Sequence, residues 1–157
     1  MKIPSKLVLL VSAMWGFPTL AAPTDPLCAA LQAFVASVGP GESREIQFQT
    51  SWGSQFKDET SGPALYSKRC VHDEYPQAKV VCDVLMEHGL VEFAGHNAKD
   101  ALQCLSPNTK LAPGVYLETG EFSFNVGTEY LGQNVTISFL DDQEIGGMVL
   151  KITADGY

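Results

Sequence analysis

The last third of the chain alternates between apolar and polar positions. Phe122, Phe124 and Val126 form one apolar row, Val135, Ile137 and Phe139 a second, and Met148, Leu150 and Ile152 a third. Glu121, Ser123, Asn125, Thr136, Ser138, Lys151 and Thr153 fill the positions between them. Alternation of this kind marks strands with one buried and one wet face, and runs separated by turn residues predict an antiparallel sheet. Residues 44–52 repeat the pattern, with Ile46 and Phe48 pointing one way and Glu45, Gln47 and Gln49 the other. Residues 141–144 (Asp-Asp-Gln-Glu) read as an acidic turn between the last two strands, and Gly146-Gly147 as a bulge after it.

Elsewhere the apolar period lengthens to that of a helix. Leu27, Ala30, Leu31, Phe34, Val35 and Val38 predict an opening helix, capped by Thr24 or Asp25 and stopped by Gly39-Pro40-Gly41. Over 75–88, Ala78, Val81, Cys82 and Leu85 share one face and Lys79, Asp83 and Glu87 the other, between Pro76 and Gly89. A shorter helix is predicted from an Asn97 cap through Ala98, Ala101, Leu102 and Leu105 to Ser106-Pro107. Between 53 and 68 no period is visible, and the stretch reads as a loop anchored by Phe56, Leu65 and Tyr66. The expected fold class is α+β: an antiparallel sheet of three to four strands, covered on one face by about three helices and stabilised by disulfides.

The N-terminus changes the setting of that domain. Lys2 and Lys6 precede an apolar stretch over 7–17 and a small-residue region over 18–22, the order of a cleavable signal peptide. Cleavage after Ala22 would place Pro23 just past the scissile bond, so residues 1–21 are read as the signal peptide and 22–157 as a single exported domain. The apolar stretch is shorter than the roughly 20 residues a membrane span needs, so no membrane association is expected after cleavage. The expected location is periplasmic or secreted. Removing two lysines and no acid moves the formal charge from −8 to −10. A field of that sign repels phosphate backbones, no basic patch interleaves with aromatics, and nucleic acid is excluded as a partner.

Cys28, Cys70, Cys82 and Cys104 are an even set in a chain read as exported, which predicts two disulfides. If the second and third helices fold back on each other, Cys82 meets Cys104 and Cys28 pairs with Cys70. The alternative is Cys28 with Cys82 and Cys70 with Cys104. A bridged Cys70 cannot serve as a thiolate ligand or nucleophile beside His72.

Candidate chemistry is sparse. The chain has no nucleophile elbow, zinc-protease helix motif, phosphate loop, dinucleotide fingerprint or C-x-x-C pair, and no metal or cofactor is expected. The most suggestive group is Trp52, Gly53, Phe56 and Tyr66, large aromatics in a polar, glycine-containing segment that can form a recognition loop. These features predict an exported, non-enzymatic macromolecule-binding protein, inhibitor- or immunity-like, with an acidic surface suited to a basic protein partner. One alternative is a small extracytoplasmic hydrolase using two of Glu74, Glu92, Asp100 and Glu121 as acid and base. Another is a small-molecule binder with a cavity lined by Phe122, Ile137 and Leu150.

Overall fold

The computed structural model describes residues 25–60 and 62–157. The expected signal peptide and its cleavage point lie outside the described residues. Elements follow in the order α1 (Pro26–Ala36), β1 (Ser43–Trp52), β2 (Tyr66–His72), α2 (Pro76–His88), α3 (Gly95–Leu105), β3 (Gly120–Gly127), β4 (Gly132–Asp142) and β5 (Gly147–Gly156). The strands form one antiparallel sheet of order β2-β1-β5-β4-β3. The α+β class holds, but the sheet has five strands rather than three to four.

The additional strand is β2, and its sequence explains why the pattern hid it. Its core-facing positions are Tyr66, Lys68, Cys70 and His72, opposite Trp52, Thr50, Phe48 and Ile46 of β1. Only Cys70 among them reaches inward as a small apolar group. Its anchor is covalent: Cys70 is bridged to Cys82 of α2. The second bridge joins Cys28 of α1 to Cys104 of α3, so neither expected pairing is correct. With β2 lying beneath α2, Cys70 sits under Cys82, and the opposite end of the helical layer is left for Cys28 and Cys104. No cysteine is free.

The helices cover one face of the sheet. Ile46, Phe48, Val135, Ile137, Phe139, Leu150, Ile152 and Ala154 meet Leu31, Phe34, Val35, Val81, Leu85, Ala98 and Leu102 in a continuous core. Each large apolar side chain removed from water there contributes roughly 1.5 to 3 kcal/mol. Asp25 caps α1, its Oδ1 accepting from the backbone N–H groups of Leu27 and Cys28 at 2.8 and 3.2 Å. The Tyr75 hydroxyl ties the start of α2 to the end of α1 by donating to the Ser37 carbonyl at 2.9 Å.

Asn97 is not the cap of α3, which begins two residues earlier at Gly95. Its buried amide instead accepts from the Leu90 N–H at 2.8 Å and donates to the Leu90 C=O at 2.7 Å, pinning the α2–α3 connector. Gly95 is required at the helix start, because a Cβ there would lie 1.9 Å from the Leu117 carbonyl oxygen.

The far face of the sheet is polar, as the alternation demands, except where residues 53–60 fold across it. Phe56 is 1% exposed there, with the Arg69 guanidinium 4.7 Å above its ring. Arg69 also donates to Gln49 Oε1 and Asp58 Oδ2, each at 2.7 Å. Of the segment predicted as a loop over 53–68, residues 53–60 are therefore a packed strap, Leu65 is exposed rather than an anchor, and Tyr66 to Lys68 belong to β2.

Candidate functional site: an aromatic and acidic groove at the end of the sheet

At one end of the sheet the strands run past the helices. Thr50, Ser51 and Trp52 close β1, Asp141 lies near the end of β4, and Gly147 and Met148 open β5. These residues form the floor of a groove of about 400 Å³. Its walls are the α2–α3 connector, with Val91, Glu92 and Ala94, and the α3–β3 connector, with Tyr116 and Glu118. The floor depends on close backbone approach: a Cβ on Gly147 would stand 2.4 Å from the Thr50 carbonyl oxygen. Gly53, at φ 77°, turns the chain away just beyond Trp52. Ser51 Oγ fixes this corner through Ser54 Oγ at 2.8 Å and the Gly146 carbonyl at 3.1 Å.

A second groove of about 310 Å³ continues from the first, sharing Trp52, Val91 and Glu92 and extending over Tyr66, Lys68, Leu90 and Phe93. Large apolar side chains stand open along both. Trp52 is 58% exposed, Tyr66 55%, Phe93 52% and Tyr116 45%. Trp52 and Tyr66 are register partners across β1 and β2, which sets two rings side by side at the sheet edge. Phe93 meets His96 and Tyr116 edge-to-face on the opposite wall, and His96 and Tyr116 are tilted against each other, with centroids 5.6 to 6.4 Å apart.

Charge gives the groove its sign. Glu92, Glu118 and Asp141 line the larger part, and no Lys, Arg or His does. Among the described residues none of these three carboxylates takes part in an ion pair. Asp141 accepts a hydrogen bond from the Gln143 side chain. The neighbouring Asp142 is spent on the turn itself, its Oδ1 accepting from Glu144 and Ile145 N–H at 2.8 and 3.2 Å. Lys68, in the smaller part, donates to the Met86 carbonyl at 3.1 Å, and burial pulls its pKa below the ordinary lysine value.

The structure thus brings together part of the expected recognition loop. Trp52, Gly53 and Tyr66 are at the groove or its corner. Phe56 is not, because it is buried beneath Arg69 on the other face of the sheet. Phe93, Tyr116 and Glu118 were not singled out from the sequence, although the criterion that selected Trp52, an aromatic ring in a connector, applies equally to Phe93 and Tyr116.

The carboxylates proposed as an acid–base pair are dispersed. Glu92 lines the groove, while Glu74 sits in the β2–α2 turn at φ 53° and Glu121 on the polar face of β3. Asp100 lines a third cleft of about 260 Å³ with Asp25, Leu85 and His88, which borders the smaller groove at Leu90. Burial raises its pKa above 3.8, with His96 and Lys99 pulling it down and Asp25 pushing it up. Ile137 and Leu150 are core residues, and with Phe122 they line none of these three clefts. Asp25, Cys28 and Cys104 approach one another as metal ligands do, but the two sulfurs are bonded to each other.

No protein family, curated protein or solved structure matches the chain. What the structure itself defines is a two-layer α+β domain with two disulfides and, among the described residues, no helix long and apolar enough to cross a membrane.

Proposed function

We propose that this is an exported, non-enzymatic binding protein that holds a basic segment of another macromolecule in the groove between Trp52, Phe93 and Tyr116. The carrying observation is three carboxylates, Glu92, Glu118 and Asp141, that form no ion pair among the described residues and lie between exposed aromatic rings. A lysine or arginine side chain has both a charged head and an apolar stem, and this surface offers a partner to each. The formal charge of −8, or −10 once the signal peptide is removed, draws such a partner in and speeds encounter. The two disulfides accord with maturation in an oxidising, periplasmic or extracellular compartment.

The test is calorimetric titration with an arginine- and lysine-rich peptide and a glutamate-substituted counterpart, at low and high salt. Binding of the basic peptide alone, weakened by salt and by Trp52→Ala or Glu92→Gln, is the expected result. Binding that both substitutions leave intact, or none at low salt, refutes the reading. Turnover of an extracellular polymer abolished by Glu92→Gln moves the groove into the hydrolase class.

A further inference from the structure

The sheet has two edges, and they are built differently. At the β2 edge, Lys68 and Arg69 sit mid-strand, and the Cys70–Cys82 bridge fastens the strand to α2. Pairing β2 with a copy of itself would set these charges against each other, a common way of keeping an edge single. The other edge, β3, reads Gly-Glu-Phe-Ser-Phe-Asn-Val-Gly. It carries one charge and no proline, and its core-facing row of Phe122, Phe124 and Val126 is only half buried.

The hydrogen-bonding groups along β3 can be assigned. Gly132 of β4 exchanges backbone bonds with Tyr157, just beyond β5, at 3.4 and 3.0 Å. Direction alternates along an antiparallel ladder, so the odd-numbered residues of β4 face β3 and bond to Phe122, Phe124 and Val126. Glu121, Ser123, Asn125 and Gly127 therefore turn their N–H and C=O groups outward. Among the described residues no backbone bond from outside β4 reaches them.

We infer that β3 is a self-association edge, and that its partner is β3 of a second copy of this chain, antiparallel about a twofold axis at Phe124. In that register Ser123 faces Asn125 and Glu121 faces Gly127, so outward groups meet outward groups in about eight backbone hydrogen bonds. On the core side Phe124 meets its own copy and Phe122 meets Val126, joining the two half-buried rows into one apolar stripe. No like charges stand opposite each other in the register. A shift of two residues, centred on Ser123, still sets outward groups against outward groups but puts Val126 opposite Gly120 and shortens the ladder. The sequence is thus self-complementary about one residue, as an isologous contact requires.

An edge pair of this length is at the small end of interfaces, so a dissociation constant of about micromolar to millimolar is expected. Two acidic copies repel, so association strengthens as salt rises from about 0.05 to about 0.5 M. That trend is opposite to the one expected for a basic ligand in the groove, so the two proposals fail independently.

Sedimentation of the disulfide-bonded protein over a concentration series tests the edge. Asn125→Pro removes an outward N–H and leaves the backbone bonds to β4 in place, losing there only the side-chain bond that Asn134 Nδ2 donates to Asn125 Oδ1 at 3.0 Å, and is expected to weaken the dimer at least about ten-fold. A monomer at every concentration to about 1 mM in high salt overturns the inference, as does a dimer that Asn125→Pro leaves unchanged. Should that variant lose its native circular dichroism, Phe124→Cys decides. Its single free thiol sits on the axis, where paired Cα atoms are about 4.5 Å apart. A disulfide-linked dimer on mild oxidation is expected, and its absence refutes the register.

Discussion

The two disulfides close loops of very different size, which makes their contributions separable. Cys28–Cys104 spans 76 residues and Cys70–Cys82 spans 12. Loop-entropy arithmetic gives about 4.5 kcal/mol for the first at 25 °C and about 3 kcal/mol for the second. The small loop lies inside the large one, and allowing for that shortening changes the larger figure by only about 0.1 kcal/mol. Each bridge joins one buried and one half-buried cysteine, so replacing both ends by alanine removes similar packing in either case. The difference between the two double variants therefore reports the loops. Urea denaturation followed by circular dichroism should place Cys28→Ala/Cys104→Ala about 1.5 kcal/mol below Cys70→Ala/Cys82→Ala. Equal stabilities, or the reverse order, would refute an unfolded-state origin and point to strand β2 depending on its bridge for native contacts.

Other expectations follow from single side chains. Asn97→Ala removes two hydrogen bonds to Leu90 and should cost about 2 kcal/mol, lowering Tm by about 5–10 °C in calorimetry. It should also weaken binding in the groove, whose wall begins at Leu90, the residue the Asn97 amide holds. Phe56→Ala should cost about 3 kcal/mol and open residues 53–60 to limited proteolysis while the β1–β2 ladder persists. For Asp100 the sign runs against the usual carboxylate. Burial raises its native pKa above 3.8, so the folded state holds the proton more tightly than the unfolded chain. Its stability contribution is whole below 3.8 and is lost as pH rises through the raised value. Asp100→Asn should therefore melt higher than the native chain at pH 7, with the gain vanishing below 3.8 in thermal scans across pH.

What could be read from the residues was whatever depends on a repeating apolar period. β1, β4, β5 and the three helices each bury a regular row, β3 half-buries one, and each was legible from that row. β2 was not, because its hold on the core is a disulfide, and a cysteine flanked by Lys68, Arg69 and Val71 carries no period. Missing β2 also hid the disulfide pairing, since the position of Cys70 beneath α2 exists only once β2 is in the sheet. Asn97 failed for a related reason. Asparagine before an apolar run reads as a cap, whereas here its amide reaches back seven residues to the connector. The groove was half legible: Trp52 and Tyr66 stood out as aromatics in a polar stretch. Their opposition to Phe93, Tyr116 and three carboxylates arises from the crossing of connectors far apart in sequence.

The position of the groove also bears on its precision as a binding site. Its floor is the end of a sheet in which β1, β5 and β4 are each held on both sides, so the floor cannot shift without breaking ladder bonds. Its walls are connectors, but each is tied: one by the Asn97 amide, the other by the packing of Gly95 under Leu117. A wall fixed before the ligand arrives saves the ordering cost that a mobile loop would impose on binding. The tie should therefore matter more than its share of stability. If Asn97→Ala lowers affinity for a basic peptide well beyond its effect on folding at the assay temperature, the wall acts by preorganisation. If affinity is unchanged in a folded variant, the connector adapts to its ligand, and recognition rests on Trp52 and Asp141 of the floor.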